Sequence, residues 1–368
     1  MTNPRFTKLA DRGQSIWIDV LSRDFVATGE LARTMDEDAV TGVTSNPSIF
    51  QKALANGTAY DDQLRSCMET LDDPTDIFFE LALEDIRAAC DVLRPVWEAR
   101  GGLDGYVSME VDPGLAAETK RTLDQAIWIH EQVARPNLLV KIPATKEGLP
   151  AIEDSTARGI SINITLIFSL ERYAAVVEAY LAGLERLVAE GGDPSKVSSV
   201  ASFFVSRVDS ETDNRLAALG NTALQGQLGI ANARLAYKHF LEAFSGPRWE
   251  RLAAAGGTKQ RPLWASTSTK NPSYRDVIYV EELIGPETVN TVPPETLDAF
   301  GDHGEVRGDT ILEGWPEAEQ LLADLAEAGV DYDDIVRVLE VEGVQKFADA
   351  FDELIAGIRA KRGELAIA

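Results

Sequence analysis

The chain has 368 residues, ~2.5 times the common domain size, which fits two or three small domains or one large barrel of roughly 250 residues with added elements. Sixty acidic against thirty-five basic side chains give a formal net charge of −25, a field that repels nucleic acid and anionic membrane surfaces. A phosphorylated ligand would therefore need a local cationic pocket.

In chain order, short runs rich in β-branched residues alternate with longer stretches of helical period, the pattern of a parallel sheet built from βα units. The first strand is predicted at Ser15 to Val20, followed by helical residues 21 to 41 and a second strand at Gly42 to Asn46. Residues 51 to 75 are predicted helical. From Ile77 to Arg100, Phe78, Leu81, Ala82, Ile86, Ala89, Leu93 and Val96 form an apolar stripe, and Pro95 is expected to kink or end that helix. Further strands are predicted at Gly105 to Val111, Leu138 to Pro143 and Ile160 to Phe168. A helix from Leu170 to Glu190 follows, with Ser169 placed as N-cap and Gly191-Gly192 as the stop. A strand at Val197 to Phe204 precedes a helical insertion over 209 to 257, and the last strands fall at Pro262 to Ser266 and Val289 to Val292. The tail, residues 316 to 368, is predicted as helical decoration. Eight strands with intervening helices fit a (β/α)8 TIM barrel, of class α/β, better than a doubly wound sheet, whose glycine-rich first turn is absent. No low-complexity linker divides the chain, so residues 1 to 368 are read as one domain with additional N-terminal, inserted and C-terminal helices.

Side chains alternate across a strand, and a barrel strand presents apolar residues to its helices while the inward set can carry chemistry at the C-terminal rim. In the first strand Ile16, Ile18 and Val20 share one face, and Ser15, Trp17 and Asp19 the other. The same division sets Val107, Met109 and Val111 against Ser108 and Glu110, and Leu138, Val140 and Ile142 against Leu139 and Lys141. It also sets Ile160, Ile162, Ile164 and Leu166 against Ser161, Asn163 and Thr165. Asp19, Glu110, Lys141, Asn163 and Thr165 therefore point inward near strand ends.

A lysine inside Leu138-Leu139-Val140-Lys141-Ile142 stands out, because desolvating an ammonium is expensive and favours the free amine, a nucleophile, while attractive carboxylates pull the other way and the sequence alone leaves the net direction open. The alternative is a structural ion pair with Glu110 or Asp19, or a rim lysine reaching for solvent. An amine nucleophile attacks a ketone, loses water, and leaves an iminium that serves as electron sink for breaking an adjacent carbon–carbon bond. Asp19 and Glu110 are the available acid/base groups for the departing hydroxyl and for carbinolamine dehydration. As a divalent-metal pair they would lack further oxygen ligands, with a lysine opposing the cation, so no metal is expected. Asn46, Asn163, Thr165 and Ser202 can orient hydroxyls without titrating, although Asn46 before Pro47 is equally a turn or cap residue. Arg207 follows the sixth strand, where it either binds phosphate or forms an outward salt bridge; Ser266 and Lys270 add donors near the usual barrel phosphate site.

Other chemistries find little material. Cys67 and Cys90 sit in no ligand pattern and are read as buried hydrophobes, while His130, His239 and His303 are scattered as structural or surface residues. Met1 to Gly13 carries charges and a proline without an apolar leader core, and no run approaches 18 apolar residues, so a cytoplasmic location away from membranes is expected. Monomer and homodimer both remain open.

Four segments carry a resemblance: Gly42-Val43-Thr44-Ser45-Asn46-Pro47-Ser48-Ile49-Phe50, Val140-Lys141-Ile142-Pro143-Ala144-Thr145, Asn163-Ile164-Thr165-Leu166-Ile167-Phe168-Ser169 and Ser202-Phe203-Phe204-Val205-Ser206-Arg207. In this order they resemble the signature segments of the transaldolase family, over residues from about 15 to 270, and the length is similar to that of its longer bacterial members. The resemblance implies transfer of a dihydroxyacetone unit from sedoheptulose 7-phosphate to glyceraldehyde 3-phosphate in the non-oxidative pentose phosphate pathway. The products would be erythrose 4-phosphate and fructose 6-phosphate, and no cofactor would be needed. By the same resemblance Lys141 is the Schiff-base lysine, Asp19 the acid/base for the C4 hydroxyl, and Glu110 the acid/base working through a water with Thr165. Asn46, Asn163 and Ser202 would contact substrate hydroxyls, and Arg207 the phosphate. The sequence departs from the family where a second phosphate arginine is common, offering Ser266 and Lys270, and where Ser206 replaces a frequent glycine. A smaller relative, fructose-6-phosphate aldolase, is the nearest alternative; it tends to place glutamine at the Glu110 position and tyrosine at the Phe204 position.

Overall fold

The computed structural model describes residues 2–55 and 57–367, without the side chains of residues 366 and 367. Residue 56, inside the predicted helical stretch 51 to 75, and the two terminal residues lie outside that description. Eight parallel strands close into a barrel in the order β1 to β8, with β1 paired to both β2 and β8. They are β1 Gln14–Ile18, β2 Val40–Val43, β3 Val107–Glu110, β4 Leu138–Pro143, β5 Ile162–Ile167, β6 Ser199–Phe204, β7 Arg261–Ala265 and β8 Thr288–Val292. The chain is thus an α/β protein with a (β/α)8 TIM barrel. The predicted strands fall on all eight, and the expected β2 runs too far along the chain: Asn46 lies past its end, where its side-chain oxygen accepts from the Ile49 amide at 3.1 Å and caps the helix Pro47–Ala55.

The alternation of apolar side chains builds two layers. Ile16, Ile18, Val107, Met109, Val140, Ile142, Ile162, Ile164 and Phe203 belong to the large core between strands and helices. Trp17, Leu139, Val200, Leu263 and Val289, on the inward face, belong to a second cluster that continues onto helical residues such as Leu216, Leu235 and Leu325. One position breaks the expected parity. Leu166 has φ of +61° at a register shift between β5 and β6, so it joins the lumen-side cluster and Ile167 takes its place in the outer core.

The helix Pro74–Ala99 begins one turn earlier than predicted, with Asp73 accepting from the Thr75 amide at 2.8 Å and Pro74 in the first turn. Pro95 does not end it: the helix runs a further turn to Ala99. Leu170–Ala189 is capped by Ser169 as expected, its hydroxyl accepting from the Arg172 amide at 2.9 Å. Between β6 and β7 lie the helices Ser206–Ala218, Leu228–Ala243 and Gly246–Ala254. The middle one packs on β7 and on Leu170–Ala189, as part of the helical layer around the barrel. The tail forms Trp315–Glu327 and the long Tyr332–Ile367, which packs against Pro47–Ala55 and reaches β5.

Candidate active site

At the C-terminal mouth of the barrel lies a cavity of about 670 Å³. Of the predicted site residues, Asp19, Asn46, Lys141, Thr165, Ser202, Phe204, Arg207, Ser266 and Lys270 line it. Register explains the convergence: Glu110 on β3 pairs with Lys141 on β4, Lys141 with Asn163 on β5, and Pro143 with Thr165.

Lys141 is 5 % exposed, and its ammonium is held from two sides. Nζ lies 3.3 Å from Glu110 Oε2 and donates to the Ser45 carbonyl at 3.1 Å. Burial dominates the carboxyls. It pushes Glu110 up to about 7, against the opposing pull of the lysine charge. It also raises the Asp19 carboxyl above its ordinary value, again partly offset by Lys141 and by a 2.7 Å hydrogen bond donated by Thr44. The Thr44 hydroxyl lies 2.7 Å from that of Thr291, tying β8 to the same cluster.

Two expected site residues stand deeper than the rest. Asn163 is fully buried; its amide donates to Ser108 Oγ at 3.0 Å and its oxygen accepts from Ser202 Oγ at 2.7 Å. It therefore orients Ser202, which faces the cavity, rather than facing it directly. Glu110 likewise lies behind the cavity wall, against Asn46, Phe78 and Phe351. Thr165 Oγ1 is buried and makes no hydrogen bond with the described residues, which leaves it available to a water or a substrate hydroxyl.

The other side of the mouth gathers cationic and hydroxyl groups. Arg207, in the first turn of Ser206–Ala218, stands 5.2 Å from the Phe204 ring centroid and has no salt bridge among the described residues. The hydroxyls of Ser206 and Ser266 are 2.9 Å apart, and Lys270 donates to Ser268 Oγ at 2.7 Å. Ser266 has φ of +56°, which turns the chain after β7 toward the cavity. Lys270 is exposed.

A family model described as transaldolase/fructose-6-phosphate aldolase matches residues 16–358. The chain belongs to this family. A transaldolase of Parafrankia sp. is 53 % identical over 369 residues, covering 100 % of both chains. A transaldolase of Frankia alni is 51 % identical over 366 residues, with 99 % of this chain and 98 % of its own length covered. One of Mycolicibacterium paratuberculosis is 51 % identical with 98 % of each covered. The family match runs well past the region from about 15 to 270 that carries the resemblance, and takes in most of the C-terminal helix.

That extension points to what strand parity misses. Phe347, on Tyr332–Ile367, lines the cavity with its ring centroid 5.4 Å from Lys141 Nζ. Lys52, Thr44, Thr291 and Glu295 also line it. Thr44 lies within one of the four resembling segments, whereas only an apolar helical face marks Phe347. Among the described residues no cluster of three metal-ligating side chains occurs, and no helix is long and apolar enough to cross a membrane.

Proposed function

We propose that the chain catalyses dihydroxyacetone transfer as a transaldolase, with Lys141 as the Schiff-base nucleophile and phosphorylated ketoses and aldoses as substrates. The observation that carries this reading is a buried amine at the mouth of the barrel, 3.3 Å from a carboxyl held at about 7. Such a carboxyl can accept the proton that Nζ must lose before attack and return it when the carbinolamine expels water. The amine adds to C2 of the ketose, water leaves, and a protonated imine forms.

Asp19 then takes the proton of the C4 hydroxyl. The C3–C4 bond breaks, the aldose product departs, and the electron pair flows to the nitrogen as an enamine. The aldehyde acceptor enters, C3 attacks its carbonyl carbon, and Asp19 returns the proton to the new alkoxide. Water then adds to C2 of the product imine, and the C2–N bond breaks to free the ketose and the Lys141 amine. A carboxyl whose pKa burial has raised is suited to both directions, because it approaches equal populations of acid and base nearer to neutral pH. Ser202, Asn46 and Thr165 hold the hydroxyls of the bound unit, and Arg207 with Ser266 and Lys270 receives the phosphate. Two free, buried thiols support a reducing, cytoplasmic setting.

The test uses sedoheptulose 7-phosphate with and without glyceraldehyde 3-phosphate, plus borohydride. Turnover should depend on the acceptor, and the reduced adduct should sit on Lys141 alone. An adduct on another lysine would overturn the assignment, and equal turnover without acceptor would make the protein a lyase.

A further inference from the structure

We propose that Phe347 shields the enzyme-bound enamine from water and so commits the bound unit to transfer rather than hydrolysis. This inference rests on the imine chemistry assigned to Lys141. Around Nζ stand the Ser45 carbonyl at 3.1 Å, Glu110 at 3.3 Å and the Phe347 ring at 5.4 Å. The first two are polar groups from the barrel itself. The third is an apolar ring brought in from the far end of the chain.

Its carrier is pinned at several points across the mouth. Arg172 pairs with Glu340 at 3.2 Å, Gln51 donates to Glu353 at 2.7 Å, and Lys361 pairs with Asp61 at 2.6 Å. One turn before Phe347, Gly343 lies against Leu166 and Phe168, where an added Cβ would approach Leu166 to 3.1 Å. The missing side chain lets the helix descend onto the β5 bulge, and Phe347 is consequently 7 % exposed although it lines an open cavity.

The chemistry gives such a ring a purpose. After the aldose product leaves, the enamine has two fates. In transfer, C3 attacks the acceptor carbonyl. In hydrolysis, C3 takes a proton from a neighbouring carboxyl, water adds to C2 of the resulting iminium, and the C2–N bond breaks to give free dihydroxyacetone and the Lys141 amine. Hydrolysis needs a water at C2, one bond from the nitrogen that the ring faces. The barrel supplies acids and bases for both fates, so the choice falls to what excludes water.

The readout is the ratio of free dihydroxyacetone released to fructose 6-phosphate formed by transfer, measured on the full chain with both substrates. F347A should raise this ratio about tenfold by admitting water at C2, and F347L, which keeps apolar bulk but lacks the ring, should raise it by a smaller factor. Borohydride should still trap both variants on Lys141. Should F347A fail to fold by circular dichroism, F347L carries the test. A ratio unchanged in F347L, or release and transfer falling together in F347A, would overturn the shield. A wild-type protein without a Lys141 adduct would instead overturn the imine reading beneath it.

Discussion

The two ends of the barrel each bury charged groups, and they treat them differently. At the N-terminal end Asp104 accepts from Trp17 Nε1 at 2.9 Å, from Ser15 Oγ at 2.5 Å and from the Gly105 amide at 3.0 Å. Arg261, 4.0 Å away, spends its terminal nitrogens on Ser15, the Leu103 carbonyl and the Thr288 carbonyl. At the C-terminal end, among the described residues, Lys141 is held by one carbonyl and one carboxylate, Asp19 accepts from Thr44, and Thr165 Oγ1 has no hydrogen-bond partner. In the lower set only Arg261 Nε lacks a partner among the described residues; polar groups tied in this way fix a structure, whereas under-coordinated ones retain bonding capacity for a ligand. The lower network therefore holds the barrel, and the upper one is free to react.

The sharpest way to break this contrast is to remove the amine. Lys141→Ala should abolish borohydride trapping and reduce transfer on the order of 10⁴-fold or more, the scale of a lost covalent nucleophile, with the circular dichroism spectrum retained. Residual turnover with an adduct elsewhere would move the chemistry to another lysine. Asp19→Asn and Glu110→Gln should each slow transfer by roughly 10²-fold or more, the usual contribution of a positioned acid or base. Unchanged rates would strip either residue of its role.

Glu110 also sharpens the contrast through pH. Its folded value of about 7 lies above the ordinary 4.5, so the folded state binds this proton more tightly than the unfolded state between those limits. The contribution of Glu110 to stability is therefore fully present below about 4.5 and is lost as pH rises through about 7. In urea titrations wild type should weaken over that interval relative to Glu110→Gln, by no more than about 3 kcal/mol. Parallel midpoints at pH 4.5 and 8 would show that burial does not perturb this carboxyl.

Within the mouth a smaller contrast separates Arg207 from Lys270. Arg207 is half-buried against Phe204 and carries a planar fork, whereas Lys270 is exposed and presents a point charge. Arg207→Ala should raise KM for phosphorylated substrates by roughly 10²-fold while leaving adduct formation from dihydroxyacetone unchanged. Lys270→Ala should raise it only about threefold, because an exposed cation acts through solvent. Reversed magnitudes would transfer the principal phosphate contact to the loop after β7.

Parity and spacing made the barrel and most of its mouth legible. Along β4 each second residue is apolar on the helix side, so Lys141 had to point inward, and the same count placed Asp19, Glu110 and Thr165. Depth and exceptions were not legible. Asn163 has the correct face yet lies a full strand repeat below Thr165, which turns a presumed substrate contact into a support for Ser202. Leu166 changes face because a residue with φ of +61° interrupts the alternation, and leucine gives no warning of that conformation. Phe347 comes from a helix whose period reveals an apolar side but not what that side covers.

The smallest expected effect on rate tests the other end. Asp104→Asn keeps an oxygen for Trp17 Nε1 and the Gly105 amide, but removes the negative charge facing Arg261. Arg261 retains its two carbonyl acceptors and is 15 % exposed, so the loss should fall short of that for a fully buried broken pair, at about 1–3 kcal/mol. The cost should appear as a lower urea midpoint. Turnover should stay within about twofold, because Leu139 and the other lumen side chains separate the two networks by at least one strand repeat, ~6–7 Å, of close-packed apolar core. Close packing could still transmit a shift through β4, where Leu139 lies two residues before Lys141. If Asp104→Asn lowered kcat tenfold at unchanged KM, the lower network would be positioning the amine as well as holding the barrel, and the division between the two ends would fail.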